Sequence, residues 1–131
     1  MARTLVTPIQ KRFADVDAFR HVNNVAQQSY FDVGKTDFYD RVLGAEVLLG
    51  DLRILTASTS TSYMGQVRDY DDVRVTTCCE RVGTKSITLL QRLLVGDEVR
   101  SESRSVMVVF DFVSQRSEPV PEAWRRRLVE E

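Results

Sequence analysis

The hydrophobic period of this sequence changes from helical to period two after about residue 42, and that change limits the folds open to the chain. Between residues 22 and 42 apolar side chains recur mostly at three- to five-residue steps with charged residues between them. This pattern predicts one amphipathic helix of about five turns. Asn23 or Asn24 supplies its start, and Gly44 follows its last periodic residue as a left-handed cap. After the helix the period becomes two.

The period-two stretches predict strands. They are residues 4–14 before the helix, then residues 54–67, 73–80 and 87–94, and a long last strand that ends at residues 106–113. Turn residues 82–85 and 96–97 separate the later strands. One long helix and about five mainly antiparallel strands share a single core only if the sheet curls around the helix. We therefore predict an α+β fold of that architecture.

Two further features refine this prediction. Gly34 lies inside the helical pattern, where glycine costs about 1 kcal/mol relative to alanine, so we expect another backbone to pack closely there. The tail contains Pro119, Pro121 and Trp124. It predicts an extended approach to a short helix, with the tryptophan as a packing anchor.

Composition excludes several classes of function. Hydrophobic residues make up 43% of the chain, enough for one domain over residues 1–131 with a core that needs no disulfide or metal. A formal net charge of −1 provides no basic field to hold a nucleic acid. The N-terminus lacks a secretory signal, and the longest uncharged run, residues 54–67, is too short and polar to span a bilayer. We expect a cytoplasmic protein.

The only cysteines are the adjacent Cys78 and Cys79. Neighbouring side chains of a strand point to opposite faces, so these two thiols do not readily bridge each other. We expect them to be reduced and packed in the strand. With one histidine and no cysteine cluster, the sequence predicts no metal site and no cofactor.

Chemical groups converge between the first strand and the helix. The stretch Asp15-Val-Asp-Ala-Phe-Arg-His-Val-Asn-Asn carries carboxylate, guanidinium, imidazole and amide side chains. If it stays extended, the carboxylates of Asp15 and Asp17 share a face. Asn23 and Asn24 lie where a helix begins, and the first N–H groups of a helix have no intrahelical acceptors. A carboxylate beside such donors suits acyl transfer or hydrolysis.

The same residues also have a purely structural interpretation. Asp and Asn side chains cap helices and close turns. A lone histidine such as His21 is more often a hydrogen-bonded structural residue than a base. Composition and spacing leave both interpretations open.

A family resemblance favours the catalytic interpretation. The run Phe13-Ala-Asp-Val-Asp-Ala-Phe-Arg-His-Val-Asn-Asn, followed by Tyr30-Phe-Asp, resembles the signature of the 4-hydroxybenzoyl-CoA thioesterase-like family of hotdog-fold acyl-CoA thioesterases. The similarity covers nearly the whole chain, since residues 62–75, 83–87 and 120–122 resemble later family segments. It implies a helix wrapped by a curved antiparallel sheet. It also implies a homodimer with the acyl-thioester site at its interface, and leaves stacking into a homotetramer open.

The resemblance implies roles for individual residues. Asp17 matches the family's catalytic carboxylate, acting as general base or as nucleophile on the thioester carbonyl. The backbone N–H of Asn24 matches the group that polarises that carbonyl. His21 and Asn23 match the motif that shapes the loop, and both are candidates for contact with the thioester. Asp15 matches a supporting position.

The sequence departs from the family pattern at two positions. Arg20 stands where the family commonly has glycine, and Gln27 where many relatives have an aromatic residue. Arg20 can point outward, narrow the pocket or meet an anionic group of the substrate. For the phosphates of coenzyme A the first candidates are Lys85 and Ser86, ahead of Arg68 and residues 125–127. Residues of these types are more often solvated surface groups than phosphate ligands.

The implied function is hydrolysis of an acyl-CoA thioester to a carboxylic acid and free coenzyme A, so that coenzyme A enters only as part of the substrate. Two alternatives come from other classes. A non-catalytic acyl-thioester-binding protein of the same fold is favoured by Arg20, and a hotdog hydratase or dehydratase fits the single histidine less well. No motif selects the acyl group or chooses between coenzyme A and an acyl carrier protein.

Overall fold

A computed structural model describes residues 3–129 of the chain. The elements, in chain order, are β1 (Leu5–Ile9), a 3-10 turn (Phe13–Asp15), α1 (Asn24–Phe38), a π-helical turn (Tyr39–Leu43), α2 (Glu46–Leu49), β2 (Leu52–Tyr63), β3 (Val73–Val82), β4 (Ser86–Val95), β5 (Glu98–Asp111), β6 (Arg116–Ser117) and α3 (Glu122–Val129). The predicted order of one strand, one long helix and then consecutive strands is confirmed.

The strands form one antiparallel sheet in the order β1-β3-β4-β5-β2, with the two-residue β6 beside β5. The sheet curls around α1, which packs against β1, β3 and β4. This confirms the predicted α+β hotdog architecture. The two edges are β1 and the much longer β2. A register shift between Thr56 and Ser58 bends β2 where it pairs with β5.

The core has two parts, one under each half of α1. Under its C-terminal half, Phe38, Leu43 and Leu89 pack with Trp124 of α3. Trp124 is buried there, which confirms its predicted role as an anchor. The second cluster lies under the N-terminal half of α1 and contains Val22, Ala26, Tyr30, Phe31, Val67, Val73, Val75 and Leu93. This second cluster fixes the beginning of the helix on the sheet.

The predicted boundaries differ from the structure at both ends of the helix region. The strand predicted over residues 4–14 stops at Ile9, because the chain leaves the sheet and closes the 3-10 turn at Asp15. The helix starts at Asn24 with Asn23 as its cap, as predicted. Its regular turns stop at Phe38, and the π-helical turn carries the chain to Gly44, whose φ of 100° ends the helix.

The two cysteines are free. Cys79 is buried and Cys78 half-buried on the opposite face of β3. Burial raises the pKa of both thiols, to about 11 for Cys79. They are therefore protonated at neutral pH and poor nucleophiles. No helix within residues 3–129 is both long and apolar enough to cross a membrane.

Gly34 lets α1 approach the sheet closely. We expected another backbone to pack against Gly34, and this is wrong, because the nearest groups are side chains of β3 and β4. A methyl group added at Gly34 would lie 2.7 Å from Val75 Cγ1 and 3.0 Å from Gln91 Nε2. Val75 and Gln91 are fully buried, so neither side chain has room to move aside.

We expect Gly34→Ala to lower the free energy of unfolding. Overpacking costs about 1–3 kcal/mol and the gain in helix propensity returns about 1 kcal/mol, which leaves a net loss of about 0–2 kcal/mol. Because neither buried neighbour can move aside, we expect the upper half of that range, about 1–2 kcal/mol. Urea titration followed by circular dichroism measures this loss. Thr36→Ala, at an exposed position of the same helix, is the matched control and should not destabilise. An unchanged midpoint for Gly34→Ala would contradict the close packing.

Candidate active site

A cavity of about 610 Å³ opens at the beginning of α1. One wall consists of residues 21–25 together with Asp17 and Gln27. The other wall consists of residues 63–67, which continue from the end of β2. Four of the predicted site residues, Asp17, His21, Asn23 and Asn24, therefore line one cavity.

Asp17 is held at this cavity by a tight turn. Its backbone N–H donates to the carbonyl of His21 (2.9 Å), and its carbonyl accepts from the N–H of Arg20 (3.0 Å). The side-chain Oδ1 accepts from the N–H groups of Phe19 (2.9 Å) and His21 (3.2 Å). Oδ2 has no hydrogen-bond partner within residues 3–129, and the side chain is exposed. One oxygen thus orients the carboxylate and the other is available for chemistry.

The start of α1 offers unpaired N–H groups to the same cavity. Asn23 Oδ1 accepts from the N–H of Ala26 (2.7 Å), and the Asn23 carbonyl accepts from the N–H of Gln27 (3.1 Å). The N–H groups of Asn24 and Val25 meet no acceptor in the described part of the chain. Because these two residues line the cavity, their N–H groups and the positive end of the helix dipole favour an oxygen that gains negative charge there.

Asp15 lies behind this loop rather than beside Asp17. The 3-10 turn interrupts the extended backbone that a shared face required, so Asp15 is 2% exposed while Asp17 faces the cavity. The Asp15 carboxylate accepts from the Tyr30 hydroxyl (2.7 Å) and from the backbone and guanidinium of Arg12 (both 2.9 Å). Its carbonyl accepts from the N–H of Asn23 (3.0 Å). Asp15 therefore ties the loop to the helix.

The environment of Asp15 shifts two pKa values. Burial opposes ionisation of Asp15, but the hydrogen bonds from Tyr30 and Arg12 outweigh it and lower its pKa below the usual range. Burial and the bond to Asp15 raise the pKa of Tyr30. At neutral pH the pair is therefore an ionised carboxylate that accepts from a neutral phenol.

Arg20 adopts the backbone conformation that suits the glycine of the family pattern. Its φ is 65°, in the left-handed region. Its guanidinium pairs with Asp69 at 2.9 Å, and its side chain is 78% exposed. The structure therefore shows Arg20 pointing outward. It lines a smaller adjoining cavity of about 260 Å³, which also contains His21 and Arg68.

His21 lines both cavities and is half-buried. Its backbone bridges to Arg68 as a short antiparallel contact. Within residues 3–129 its imidazole makes no hydrogen bond. The backbone of His21 thus shapes the loop, and its ring stands between the two cavities.

Lys85 and Ser86 are not brought to this site within one protomer. They lie at the turn between β3 and β4, where the Ser86 carbonyl accepts from the N–H of Gly83. The cavity adjoins the opposite end of β3, where Val73 packs with Val22. A ten-residue strand separates the two ends by roughly 30 Å. Residues 125–127 lie at the same far end, since Arg125 bonds to the Gly83 carbonyl.

Sequence reasoning missed the base of the cavity. Gln27 appeared only as a departure from the family pattern, yet it is buried and lines the cavity. Its partner Ser101 on β5 gave no signal, because a serine in a strand has no feature that marks it as buried. No group of three or more His, Cys, Asp and Glu side chains in the described range is arranged to hold a metal ion.

We expect acid to weaken the fold partly through Asp15. Its pKa is lowered in the native state, so its ionised form stabilises the fold above the unfolded pKa of about 4 and this contribution is lost as the pH falls through the native pKa. Asp15→Asn should cost about 1–3 kcal/mol at pH 7 and show a shallower loss of stability toward pH 2. Urea unfolding from pH 2 to 7 measures both. Asp97→Asn, at an exposed turn, is the control, and equal acid slopes for Asp15→Asn and wild type would contradict the role.

The strain at Arg20 predicts an order of stability. Glycine reaches a φ of 65° freely, whereas a β-branched residue there is strained by about 1–2 kcal/mol. Arg20→Gly and Arg20→Val both remove the ion pair with Asp69, so that contribution cancels between them. We expect Arg20→Gly to have the higher free energy of unfolding by about 1–2 kcal/mol, measured by urea titration. Equal values would show that the loop does not need the left-handed conformation.

Comparisons with known proteins agree with this geometry. The model of the Thioesterase-like superfamily matches residues 12–128, a range that includes both walls of the cavity. The uncharacterized protein YsmA of Bacillus subtilis (strain 168) is 28% identical over 83 residues. That alignment covers 62% of this chain and 54% of the relative, so the chain spans about half the length of the curated relative it matches.

Solved structures share the fold. A protein described as a predicted thioesterase from Bacillus stearothermophilus superposes with a TM-score of 0.87 at 27% identity, covering 96% of this chain and 94% of that one. A thioesterase from Thermus thermophilus, solved with coenzyme A and Zn, superposes with a TM-score of 0.83 at 24% identity, covering 94% and 90%. The resemblance to hotdog-fold thioesterases is thereby confirmed, and the chain belongs to the Thioesterase-like superfamily.

Proposed function

We propose that this protein hydrolyses acyl-CoA thioesters to a carboxylic acid and free coenzyme A. The observation that carries the proposal is the cavity at the start of α1, which is lined by Asp17, with a carboxylate oxygen free of hydrogen bonds, and by the residues whose N–H groups lack acceptors. Membership of the Thioesterase-like superfamily supports the reaction class. The coenzyme A in the Thermus thermophilus thioesterase supports the thiol carrier.

The reaction needs two groups from this chain. The N–H of Asn24 donates to the thioester carbonyl oxygen and stabilises the charge that this oxygen gains. As general base, Asp17 Oδ2 takes a proton from a water molecule while the water oxygen bonds to the carbonyl carbon. The carbon–sulfur bond then breaks, and the departing thiolate receives the proton from Asp17. As nucleophile, Asp17 instead forms a mixed anhydride and releases the thiolate, and water hydrolyses the anhydride.

The magnitudes suffice for an enzyme without a catalytic serine, cysteine or metal. A positioned general base contributes about 10²- to 10⁴-fold, and one oxyanion donor contributes about 10²- to 10³-fold. Thioesters also carry a good leaving group, because a thiol is a far stronger acid than an alcohol. We assign the positioning of both groups to Asn23, which caps the helix, and to Asp15, which anchors the loop.

We also propose that the active form is a homodimer. Within residues 3–129 the twelve-residue strand β2 pairs with β5 on one side only, which leaves its other backbone edge unpaired. Long unpaired edges favour pairing with a second copy. Leu55 and Tyr63 of β2 are each about 40% exposed, apolar surface that a partner would cover.

We expect purified protein to release thiol from acyl-CoAs, followed with a thiol reagent over short, long and aromatic acyl groups. Asp17→Asn should reduce kcat by about 10²- to 10⁴-fold while circular dichroism shows an unchanged fold. Asp97→Asn, an exposed carboxylate at the turn between β4 and β5, is the matched control and should keep full activity.

Three outcomes would contradict the proposed mechanism. Tight acyl-CoA binding without turnover would identify a non-catalytic binding protein, and hydration of an enoyl-CoA without hydrolysis would identify a hydratase. Full activity in Asp17→Asn would leave the thioester hydrolase in place but show that the Asp17 carboxylate does not act in the reaction.

The dimer has its own test. Light scattering at micromolar concentration should give about twice the 15.0 kDa mass of the chain, or a multiple of that dimer if dimers stack. A monomer under conditions where the protein is active would rule out the proposed assembly.

A further inference from the structure

Gln27 occupies an unusual place for a polar side chain. It lies one helical turn after Asn24 on the same face of α1, because residues three apart are neighbours on a helix surface. It is only 3% exposed, yet it lines the proposed active-site cavity. Most polar atoms buried to this degree have at least one hydrogen-bond partner, either in the protein or in ordered water.

One side of the Gln27 carboxamide is fixed. Its Oε1 accepts a hydrogen bond from the hydroxyl of Ser101 (2.8 Å), a residue of β5 that is fully buried. Rotation of the amide would leave the proton of the buried Ser101 hydroxyl without an acceptor among the described residues. The Ser101 hydroxyl therefore sets the direction in which the amide nitrogen points.

The other side has no partner in the protein. Within residues 3–129 no acceptor meets Gln27 Nε2. Gln27 Nε2 is nevertheless not among the buried side-chain atoms of this range that lack a hydrogen-bond partner, so the atom is not sealed from solvent. Since Gln27 lines the cavity, the amide nitrogen meets solvent there, as a donor directed at whatever fills the cavity.

The neighbouring hydroxyls do not compete for this role. Along the same face of the sheet, Thr61 pairs with Ser103 (2.9 Å) and Thr59 pairs with Ser105 (3.1 Å). Ser103 and Ser105 are fully buried. These hydroxyls pair with one another, whereas the Gln27 amide nitrogen has no protein partner within residues 3–129.

We propose that Gln27 selects acyl groups that carry an oxygen acceptor close to the thioester carbonyl, with the oxygen on carbon 3 as the case to test. The inference rests on the proposed function, in which the Asn24 N–H binds the carbonyl oxygen. The rise from residue 24 to residue 27 is about 4.5 Å along the helix. That spacing lets one short acyl group reach both donors.

The selectivity has a physical source in desolvation. An acyl group that fills the cavity displaces the water on Gln27 Nε2. An unsubstituted alkyl group then leaves that N–H unpaired, whereas an oxygen acceptor replaces the lost water. Sites built around a buried polar group discriminate in this way against analogues that lack its partner.

The test compares butanoyl-CoA, 3-oxobutanoyl-CoA and 3-hydroxybutanoyl-CoA. We expect wild-type kcat/KM to be about three- to tenfold higher for both oxygenated substrates than for butanoyl-CoA. Gln27→Met, which keeps the volume and removes the donor, should bring the three values together. Gln27→Glu, which replaces the donor with an acceptor, is a second variant if the methionine variant is poorly folded. Gln10→Met, at an exposed position outside the cavity, should leave the ratios as in wild type.

The outcomes separate this inference from the proposed function. Hydrolysis of all three substrates with equal kcat/KM would overturn the role of Gln27 and leave the thioesterase intact. Preference for 3-hydroxybutanoyl-CoA alone would also overturn it. A ketone oxygen only accepts hydrogen bonds, so such a preference would mean that the site presents an acceptor rather than the Gln27 donor. Ratios that persist in Gln27→Met and Gln27→Glu would assign the preference to another residue.

Binding supplies a readout that does not depend on turnover. Calorimetry with amide analogues of butanoyl-CoA and 3-oxobutanoyl-CoA, in which nitrogen replaces the thioester sulfur, measures the same preference as a ratio of Kd. Suppose that wild type hydrolyses none of the substrates but binds the oxo analogue about three- to tenfold more tightly than the butanoyl analogue. If Gln27→Met loses that difference, the proposed hydrolysis fails but the inference about Gln27 stands. Equal Kd values in wild type would overturn the inference.

Discussion

The candidate site depends on one buried carboxylate. Asp15 binds the Tyr30 hydroxyl on α1, the backbone and guanidinium of Arg12 before the loop, and, through its own carbonyl, the N–H of Asn23 at the helix cap. These bonds join the two ends of the loop to one side of the helix. Moving a charged group from water into the protein interior is costly unless hydrogen-bonding partners such as these compensate the loss of hydration. The loop therefore has one favourable arrangement, and in it Asp17 and the first N–H groups of α1 line the same cavity.

Much of the fold could be predicted because its signals are local. The period of three to four residues marked α1, the period of two marked β2 to β5, and Asn23 marked the helix cap. The strand predicted over residues 4–14 ended early because the 3-10 turn is held by Asp15, whose partners include Tyr30, fifteen residues away. The neighbours of Gly34 were likewise invisible, since Val75 and Gln91 reach it only through the packing of the helix on the sheet.

The candidate site likewise contains residues that the local sequence could predict and residues that it could not. Asp17, His21, Asn23 and Asn24 lie in one short segment, so spacing was enough to group them, and the structure finds them around one cavity. Lys85 and Ser86 were chosen by residue type alone, and the length of β3 separates them from that cavity. Gln27 and Ser101 are 74 positions apart in sequence. Their contact depends on which strand passes beneath α1, and no local pattern carries that information.

The bridge between His21 and Arg68 separates two parts of the cavity wall that are held in different ways. Residues 67–69 are hydrogen-bonded to the loop between β1 and α1, because Val22 donates to the Val67 carbonyl and Asp69 donates to the Arg20 carbonyl. Residues 63–66 form the wall that faces the helix and are held from β5, because the N–H groups of Met64 and Gly65 donate to the Arg100 carbonyl. Since these bonds use backbone groups, the side chains of Met64 and Gln66 can change without breaking them. Substitutions at these two positions therefore reshape one wall of the cavity while the loop that carries Asp17 keeps its place.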